Sequence, residues 1–67
     1  MILSYRVKPG GYGIYNDATG DMVMFTGDRR LARYLAYKSH DWKVTKADDE
    51  RYKHYLDDIE SGKNMFE

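Results

Sequence analysis

Apolar and polar residues alternate along the first part of the chain, and this alternation predicts three β-strands. Over residues 2–8 nearly every second side chain is apolar or aromatic, the period-2 pattern of a half-buried strand. Shorter runs of the same kind cover 12–15 and 21–26. The segments 9–11 (Pro-Gly-Gly) and 16–20 (Asn-Asp-Ala-Thr-Gly) separate these runs with residues that favour tight turns. Strands joined in this way form an antiparallel meander, which we expect here.

The alternation also assigns side chains to the two faces of the sheet, because neighbouring residues of a strand point to opposite sides. We expect the first helix to cover the more apolar face, which carries Leu3, Tyr5, Val7, Val23 and Phe25. The opposite face carries Ile2, Arg6, Lys8, Met22 and Met24. Whether a second helix packs on this opposite face is the main structural question that the pattern leaves open.

Beyond residue 26 the pattern changes to the spacing of an amphipathic helix. Thr26 and Asp28 are both suitable N-caps. The segment 39–41 (Ser-His-Asp) ends this helix, and the alternation over 42–45 predicts a short fourth strand. The apolar stripe of the helix consists of Leu31, Ala32, Leu35 and Ala36.

A second amphipathic helix is predicted near the end of the chain. Asp48 is a suitable N-cap and Gly62 a suitable stop. The sequence therefore predicts one α+β domain over residues 1–62, in the order β-β-β-α-β-α, followed by a frayed tail over 63–67. The apolar stripe of the last helix consists of Tyr52, Tyr55, Leu56 and Ile59.

Composition narrows the class of protein. A chain of 67 residues without cysteine has no disulfide to stabilise it and no thiolate chemistry. The N-terminal apolar run ends at Leu3, so we expect no signal peptide. No stretch approaches the roughly 20 apolar residues of a membrane span. These features predict a cytoplasmic protein that does not contact a membrane.

Catalytic and metal-binding patterns are weak. The segment 39–41 has the residue types of a catalytic triad, but adjacent side chains cannot converge as those of a triad do. Glu50, His54 and Asp58 share one side of the last helix, yet no other cluster of ligand-type residues is evident to complete a site. We therefore predict a non-enzymatic protein with no metal and no cofactor.

Charge is unevenly distributed, although the net charge is zero. Residues 1–46 carry eight Lys or Arg against four Asp or Glu, and residues 47–67 carry three against seven. Such asymmetry occurs in nucleic-acid-binding surfaces and in interaction tails. We favour the simpler interpretation, in which the two halves of the chain pack together and their charges cancel.

Seven tyrosines are the strongest compositional signal, because Tyr, Met and Arg are enriched where proteins bind other proteins. A small core cannot bury all seven, since every buried phenol needs a hydrogen-bond partner. The leading hypothesis is a small protein-interaction module, an inhibitor or accessory protein that binds a larger host protein; in composition the chain resembles the short accessory proteins of bacterial viruses. The predicted protein-binding residues are Tyr12, Tyr15, Met22 and Met24 on the sheet, with Arg29, Arg30 and Arg33 as a charged rim.

The alternative hypothesis is a small regulator that binds DNA or RNA through basic side chains and stacking tyrosines. Over residues 5–37 the meander and helix resemble the arm-binding domains of phage integrases and the plant AP2 domains, which lay a small sheet in the major groove. The resemblance implies that the sheet faces the nucleic acid, whereas the neutral net charge and the acidic last third differ from those families. The predicted nucleic-acid-binding residues are Arg6, Lys8, Arg29, Arg30 and Arg33.

A third hypothesis is a homodimer, because small domains without disulfides often gain stability by self-association. The last helix of each chain would pair with its copy. The pairing stripe would consist of Tyr52, Tyr55, Leu56 and Ile59.

Overall fold

The structure consists of a three-stranded sheet followed by two helices. It is a computed structural model that describes residues 1–62. The strands pair antiparallel in chain order, which confirms the predicted α+β class and the meander. The tail predicted over 63–67 lies outside the described residues. The strands are Leu3–Lys8 (β1), Gly11–Asn16 (β2) and Met22–Thr26 (β3), and the helices are Arg29–Ser39 (α1) and Lys46–Glu60 (α2).

Both turns of the meander contain a glycine in the left-handed region of backbone conformation. Gly10 has φ +86° between β1 and β2, and Gly20 has φ +77° between β2 and β3. Glycine adopts this conformation without the strain that a side chain would cause. In the second turn the Asn16 side chain accepts a hydrogen bond from the N–H of Ala18. These turns are the ones that the sequence indicates, and they set the order of the strands.

The faces predicted for Met24 and Phe25 are wrong, and the irregular pairing of β2 with β3 gives the reason. Met24 lies opposite Ile14, and Phe25 lies opposite Gly13. Directly paired residues share a face of an antiparallel sheet, so Met24 faces α1 and Phe25 faces away from it. Met24 is 6% exposed and Phe25 is 38% exposed. Because residues 22–25 are all apolar, alternation alone cannot choose between the two phases.

Helix α1 covers the inner face of the sheet, where Leu3 and Ile14 are fully buried against it. Tyr34 is buried as well, which the apolar stripe of α1 does not predict. Val7 is 77% exposed, although the alternation assigns it to the covered face. The predicted stripe is confirmed, since the structure buries Leu31, Ala32, Leu35 and Ala36.

The fourth strand predicted over 42–45 is not formed; these residues connect α1 to α2 as a loop. The backbone N–H of Trp42 donates to the carbonyl of Tyr37, which holds the segment against the end of α1 and away from a sheet edge. The N-cap of α2 is Thr45 and not the predicted Asp48, because the hydroxyl of Thr45 accepts from the backbone N–H of Asp48. An alternating pattern of only four residues does not specify a strand when the adjacent helix ends can form hydrogen bonds with the same residues.

Helix α2 packs against α1, so both helices lie on the same side of the sheet. Tyr52 and Ile59 are buried in the core of the single chain, whereas Tyr55 and Leu56 are half-buried. In the folded chain, only Tyr55 and Leu56 of this stripe would therefore be accessible to a second copy. Neither helix of residues 1–62 has the length and apolar character that crossing a membrane requires.

Opposite charges from the two halves of the chain meet where α1 contacts α2. Arg30 Nε lies 3.0 Å from Asp48 Oδ1, and Lys38 Nζ lies 3.1 Å from Asp49 Oδ1. The phenol of Tyr34 donates to the same Asp49 oxygen at 2.8 Å. This contact agrees with the interpretation that the basic and acidic halves offset each other.

The contact between Tyr34 and Asp49 predicts how stability depends on pH. Hydrogen bonds from Tyr34 and Lys38 hold the pKa of Asp49 below its usual value, and burial, together with Asp49, raises the pKa of Tyr34. A lowered carboxyl pKa stabilises the fold above the unfolded value of about 4, and this contribution is lost as the pH falls through the lower folded value. A raised phenol pKa stabilises the fold below about pH 10 and is lost at higher pH.

We therefore expect Asp49→Asn to reduce the loss of unfolding free energy that the parent chain shows between about pH 5 and pH 2. Urea denaturation followed by circular dichroism, repeated at several pH values in this range, measures the free energy of unfolding. Glu50→Gln is the matched control, since Glu50 is an exposed neighbour on α2. An Asp49→Asn variant that keeps the acid dependence of the parent would show that the contact contributes nothing to it.

Candidate functional site

The face of the sheet opposite the helices carries five large side chains, which we call the outer face. Its members follow from the register: Arg6 pairs with Gly13, and Gly13 pairs with Phe25. A register shift after Ile14 then brings Tyr15 opposite Met22. Both helices lie on the other side of the sheet, and Met22 and Phe25 are 36% and 38% exposed. The outer face consists of Arg6, Lys8, Tyr15, Met22 and Phe25.

Two glycines of β2 form the floor of the outer face. A Cβ atom at Gly13 would lie 2.9 Å from Cε1 of Tyr15 and 3.1 Å from the sulfur of Met22. A Cβ atom at Gly11 would lie 3.1 Å from Cζ of Phe25 and 2.6 Å from a backbone oxygen. The aromatic rings thus lie directly on the bare backbone, and the outer face is a shallow, largely apolar platform rather than a pocket.

Two cations of β1 flank the ring of Tyr15. The guanidinium carbon of Arg6 lies 4.7 Å from the ring centroid, and Nζ of Lys8 lies 5.6 Å from it. Within residues 1–62 neither cation has a carboxylate at ion-pair distance. Asp17 stands at the rim, where it accepts a hydrogen bond from the hydroxyl of Ser4. The outer face therefore combines exposed apolar groups with unpaired positive charge.

The structure brings together only part of the sheet site predicted from the sequence. Tyr15 and Met22 share the outer face. Tyr12 instead lies on the inner side, with its ring edge against Tyr5 at 6.0 Å between centroids. Met24 belongs to the core and is unavailable to a partner in the folded chain. Phe25 is not among the site residues predicted from the sequence; the signal for it was Gly11 and Gly13, because alternating glycines on a neighbouring strand leave room for large side chains.

The three arginines of the predicted charged rim are on α1. This helix packs on the inner face of the sheet, so the arginines lie on the opposite side of the sheet from the outer face. Arg30 is already paired with Asp48. The five cations predicted to contact nucleic acid are therefore split between two surfaces: Arg6 and Lys8 on the outer face, and Arg29, Arg30 and Arg33 on α1.

Trp42 is a second exposed aromatic residue outside the sites predicted from the sequence. It is 56% exposed in the loop between the helices. The ring of His40 stacks on it at 4.6 Å, and the ring of Tyr37 meets it edge-on at 5.4 Å. The alternation over 42–45 does not indicate this exposed cluster of rings, because it assigns Trp42 to a strand.

The chemistry available to the outer face is that of binding. Its side chains offer apolar contact, stacking and positive charge. In the part of the chain that the structure describes, no three His, Cys, Asp or Glu side chains converge as metal ligands would. A shallow face of this kind differs from the concave sites that enclose small molecules.

Residues 3–39 form the β-β-β-α order that also underlies the resemblance to arm-binding and AP2 domains. Element order alone does not identify a function, because one architecture serves many unrelated functions. The comparisons with known proteins find no match: no family model fits the chain, and no curated protein and no solved structure is significantly similar to it.

Proposed function

We propose that this chain is a non-enzymatic protein-interaction module that binds a larger protein through the outer face. The observation that carries the proposal is the open platform formed by Tyr15, Met22 and Phe25, with both helices on the opposite side of the sheet. Aromatic side chains supply much of the binding energy in many protein interfaces, since they bury large areas at a low cost in conformational entropy, and methionine adds an adaptable apolar contact. Such a chain acts by covering a surface of its partner, as an inhibitor or accessory protein does.

The charge on the outer face defines the chemistry of the partner. Arg6 and Lys8 lack carboxylate partners among the described residues, so they favour a surface that carries Asp or Glu. A second copy of the chain, docked by the same face, would bring these cations towards each other. The expected partner is therefore a protein segment that combines apolar side chains with carboxylates.

The positions of the cations favour a protein over a nucleic acid. Phosphate affinity depends on how many cations reach the backbone together. The outer face presents two, and the arginines of α1 lie on the other side of the sheet. The acidic residues Asp48 and Asp49 offset two of the basic groups of α1. A result in which the outer face binds RNA or DNA would contradict the proposal and favour the nucleic-acid hypothesis.

Affinity capture followed by titration tests the proposal. The tagged chain is used to retain proteins from a lysate of the cells that encode it, and each retained protein is purified and titrated by calorimetry. We expect Phe25→Ala and Tyr15→Ala each to raise the Kd for the partner at least about tenfold, or ~1.4 kcal/mol. Val7→Ala is the matched control, because Val7 is exposed but lies off the outer face.

Circular dichroism establishes that each variant is folded before its affinity is compared. A Kd that Val7→Ala raises as much as Phe25→Ala does would contradict the proposal. So would the absence of any retained protein whose binding depends on Tyr15 and Phe25. A gel shift with single-stranded RNA or duplex DNA that the same two substitutions abolish would assign the outer face to nucleic acid.

A further inference from the structure

A small cleft lies where the loop between the helices crosses α1, on the side of the molecule away from the outer face. Its volume is about 90 Å³. Tyr37 of α1 and Thr45, the N-cap of α2, contribute to its walls. The charged residues that line it are Arg30, Arg33, Lys43 and Asp48.

The charge of the cleft is strongly positive for a chain with no net charge. Three cations face one carboxylate, and this carboxylate, Asp48, is already bonded to Arg30 at 3.0 Å. Arg33 and Lys43 have no ion-pair partner among residues 1–62. The guanidinium of Arg33 lies 5.9 Å from the centroid of the Tyr37 ring, which places it at the edge of the cleft. The cleft therefore has a surplus of two positive charges, those of Arg33 and Lys43.

We infer that this cleft binds a single phosphate group in its dianionic form. A phosphomonoester carries close to two negative charges near neutral pH and three acceptor oxygens, which matches the surplus of two cations. Arg33 supplies a planar set of donors and Lys43 supplies a point charge, and Thr45, whose hydroxyl caps α2, lies in the same wall. The cleft has room for several water molecules and hence for one such group, but not for a nucleoside.

The phosphate can belong to a phosphorylated protein, to a nucleotide or to the free ion, and these sources share one chemistry at the cleft. Arg29, Arg30 and Arg33 also line an open depression of about 260 Å³ next to it. The remainder of a larger ligand can extend into this depression. Inorganic phosphate, O-phosphoserine and adenosine monophosphate are therefore the three probes, and their relative affinities identify the source.

Trp42 provides the signal for the titration, because it is the one tryptophan of the chain and its ring contacts Tyr37 of the cleft wall. Each probe is titrated at constant ionic strength and the fluorescence of Trp42 is recorded. We expect saturable binding that Arg33→Gln and Lys43→Gln each weaken at least fivefold. Asp48→Asn is expected to strengthen binding severalfold, because Asp48 is the one carboxylate among residues 1–62 that lines the cleft.

Lys53→Gln is the matched control, since Lys53 is an exposed lysine of α2 that does not line the cleft. Three results would overturn the inference: a response that does not saturate, an equal loss of affinity in Lys53→Gln and Lys43→Gln, or no strengthening in Asp48→Asn. The Asp48→Asn variant excludes loss of folding as an explanation, because unfolding cannot increase affinity. None of these substitutions touches the outer face, so the result is independent of the proposed protein partner.

Discussion

Replacing Ile14 with alanine is expected to lower the free energy of unfolding by about 2–5 kcal/mol, enough to unfold a large fraction of the molecules at 25 °C. Ile14 lies at the centre of the middle strand, pairs with Tyr5 and Met24, and is fully buried under α1. Its removal takes apolar area from the core and leaves a cavity that the surrounding strands cannot fill. A domain of this size rarely has more than about 3–5 kcal/mol of stability to lose.

Val7→Ala is the matched control for Ile14→Ala. Both residues are β-branched and both occupy inward positions of the meander, but Val7, near the end of β1, is 77% exposed. We expect the control to change the free energy of unfolding by less than about 0.5 kcal/mol. Urea denaturation followed by circular dichroism measures both. Equal destabilisation by the two substitutions would show that the core is not centred on Ile14.

Replacing Asp28 with alanine is expected to cost about 2 kcal/mol of unfolding free energy, because this carboxylate has two functions. One oxygen caps α1 by accepting from the backbone N–H groups of Arg30 and Leu31 at 3.0 and 3.3 Å. The other accepts from the phenol of Tyr52 at 3.3 Å, which joins α2 to the start of α1. Loss of the cap contributes about 1 kcal/mol, and the unpaired phenol of the buried Tyr52 contributes about the same.

Two further variants separate these functions of Asp28. Asp28→Asn keeps the oxygen that caps α1 but places an NH2 group where the second oxygen accepts from Tyr52, so we expect it to lose about half as much stability as Asp28→Ala. Tyr52→Phe removes only the bond to α2 and should cost about 1 kcal/mol. The midpoint of thermal unfolding should fall by roughly 10 °C in Asp28→Ala, given about 4–8 °C per kcal/mol in so small a domain. If Asp28→Asn is as unstable as Asp28→Ala, the cap is not what stabilises α1.

Local chemistry explains the parts of the fold that can be predicted from the sequence. The two turns need residues with positive φ, and the sequence provides glycine at both places, Gly10 and Gly20, between apolar runs. Asp28 is one of two predicted caps, and the structure selects it because its side chain reaches the first free N–H groups. The helical stripes of α1 and α2 are predicted because their spacing is long enough to be unambiguous.

Tertiary pairing decides the features that the sequence does not predict. Met24 and Phe25 exchange faces relative to the prediction because register with β2, and not the apolar pattern, sets the phase of β3. The loop over 42–45 follows from bonds to the end of α1, which no pattern within the segment reveals. The predicted binding surface changes accordingly: Phe25 replaces Met24 on the outer face, and the three predicted arginines lie apart from it on α1.

The outer face must be open to solvent if it binds a partner, and the methyl groups of Met22 and Met24 lie on the two opposite sides of the sheet. Labelling the methionine methyl groups with ¹³C allows both to be followed by NMR while a soluble paramagnetic compound is added. Met22→Leu and Met24→Leu assign the two signals. We expect strong broadening of the Met22 methyl signal and little broadening of the Met24 signal, because Met22 lies on the outer face and Met24 lies in the core. Equal protection of both methyl groups would show that the outer face is covered and would contradict the account.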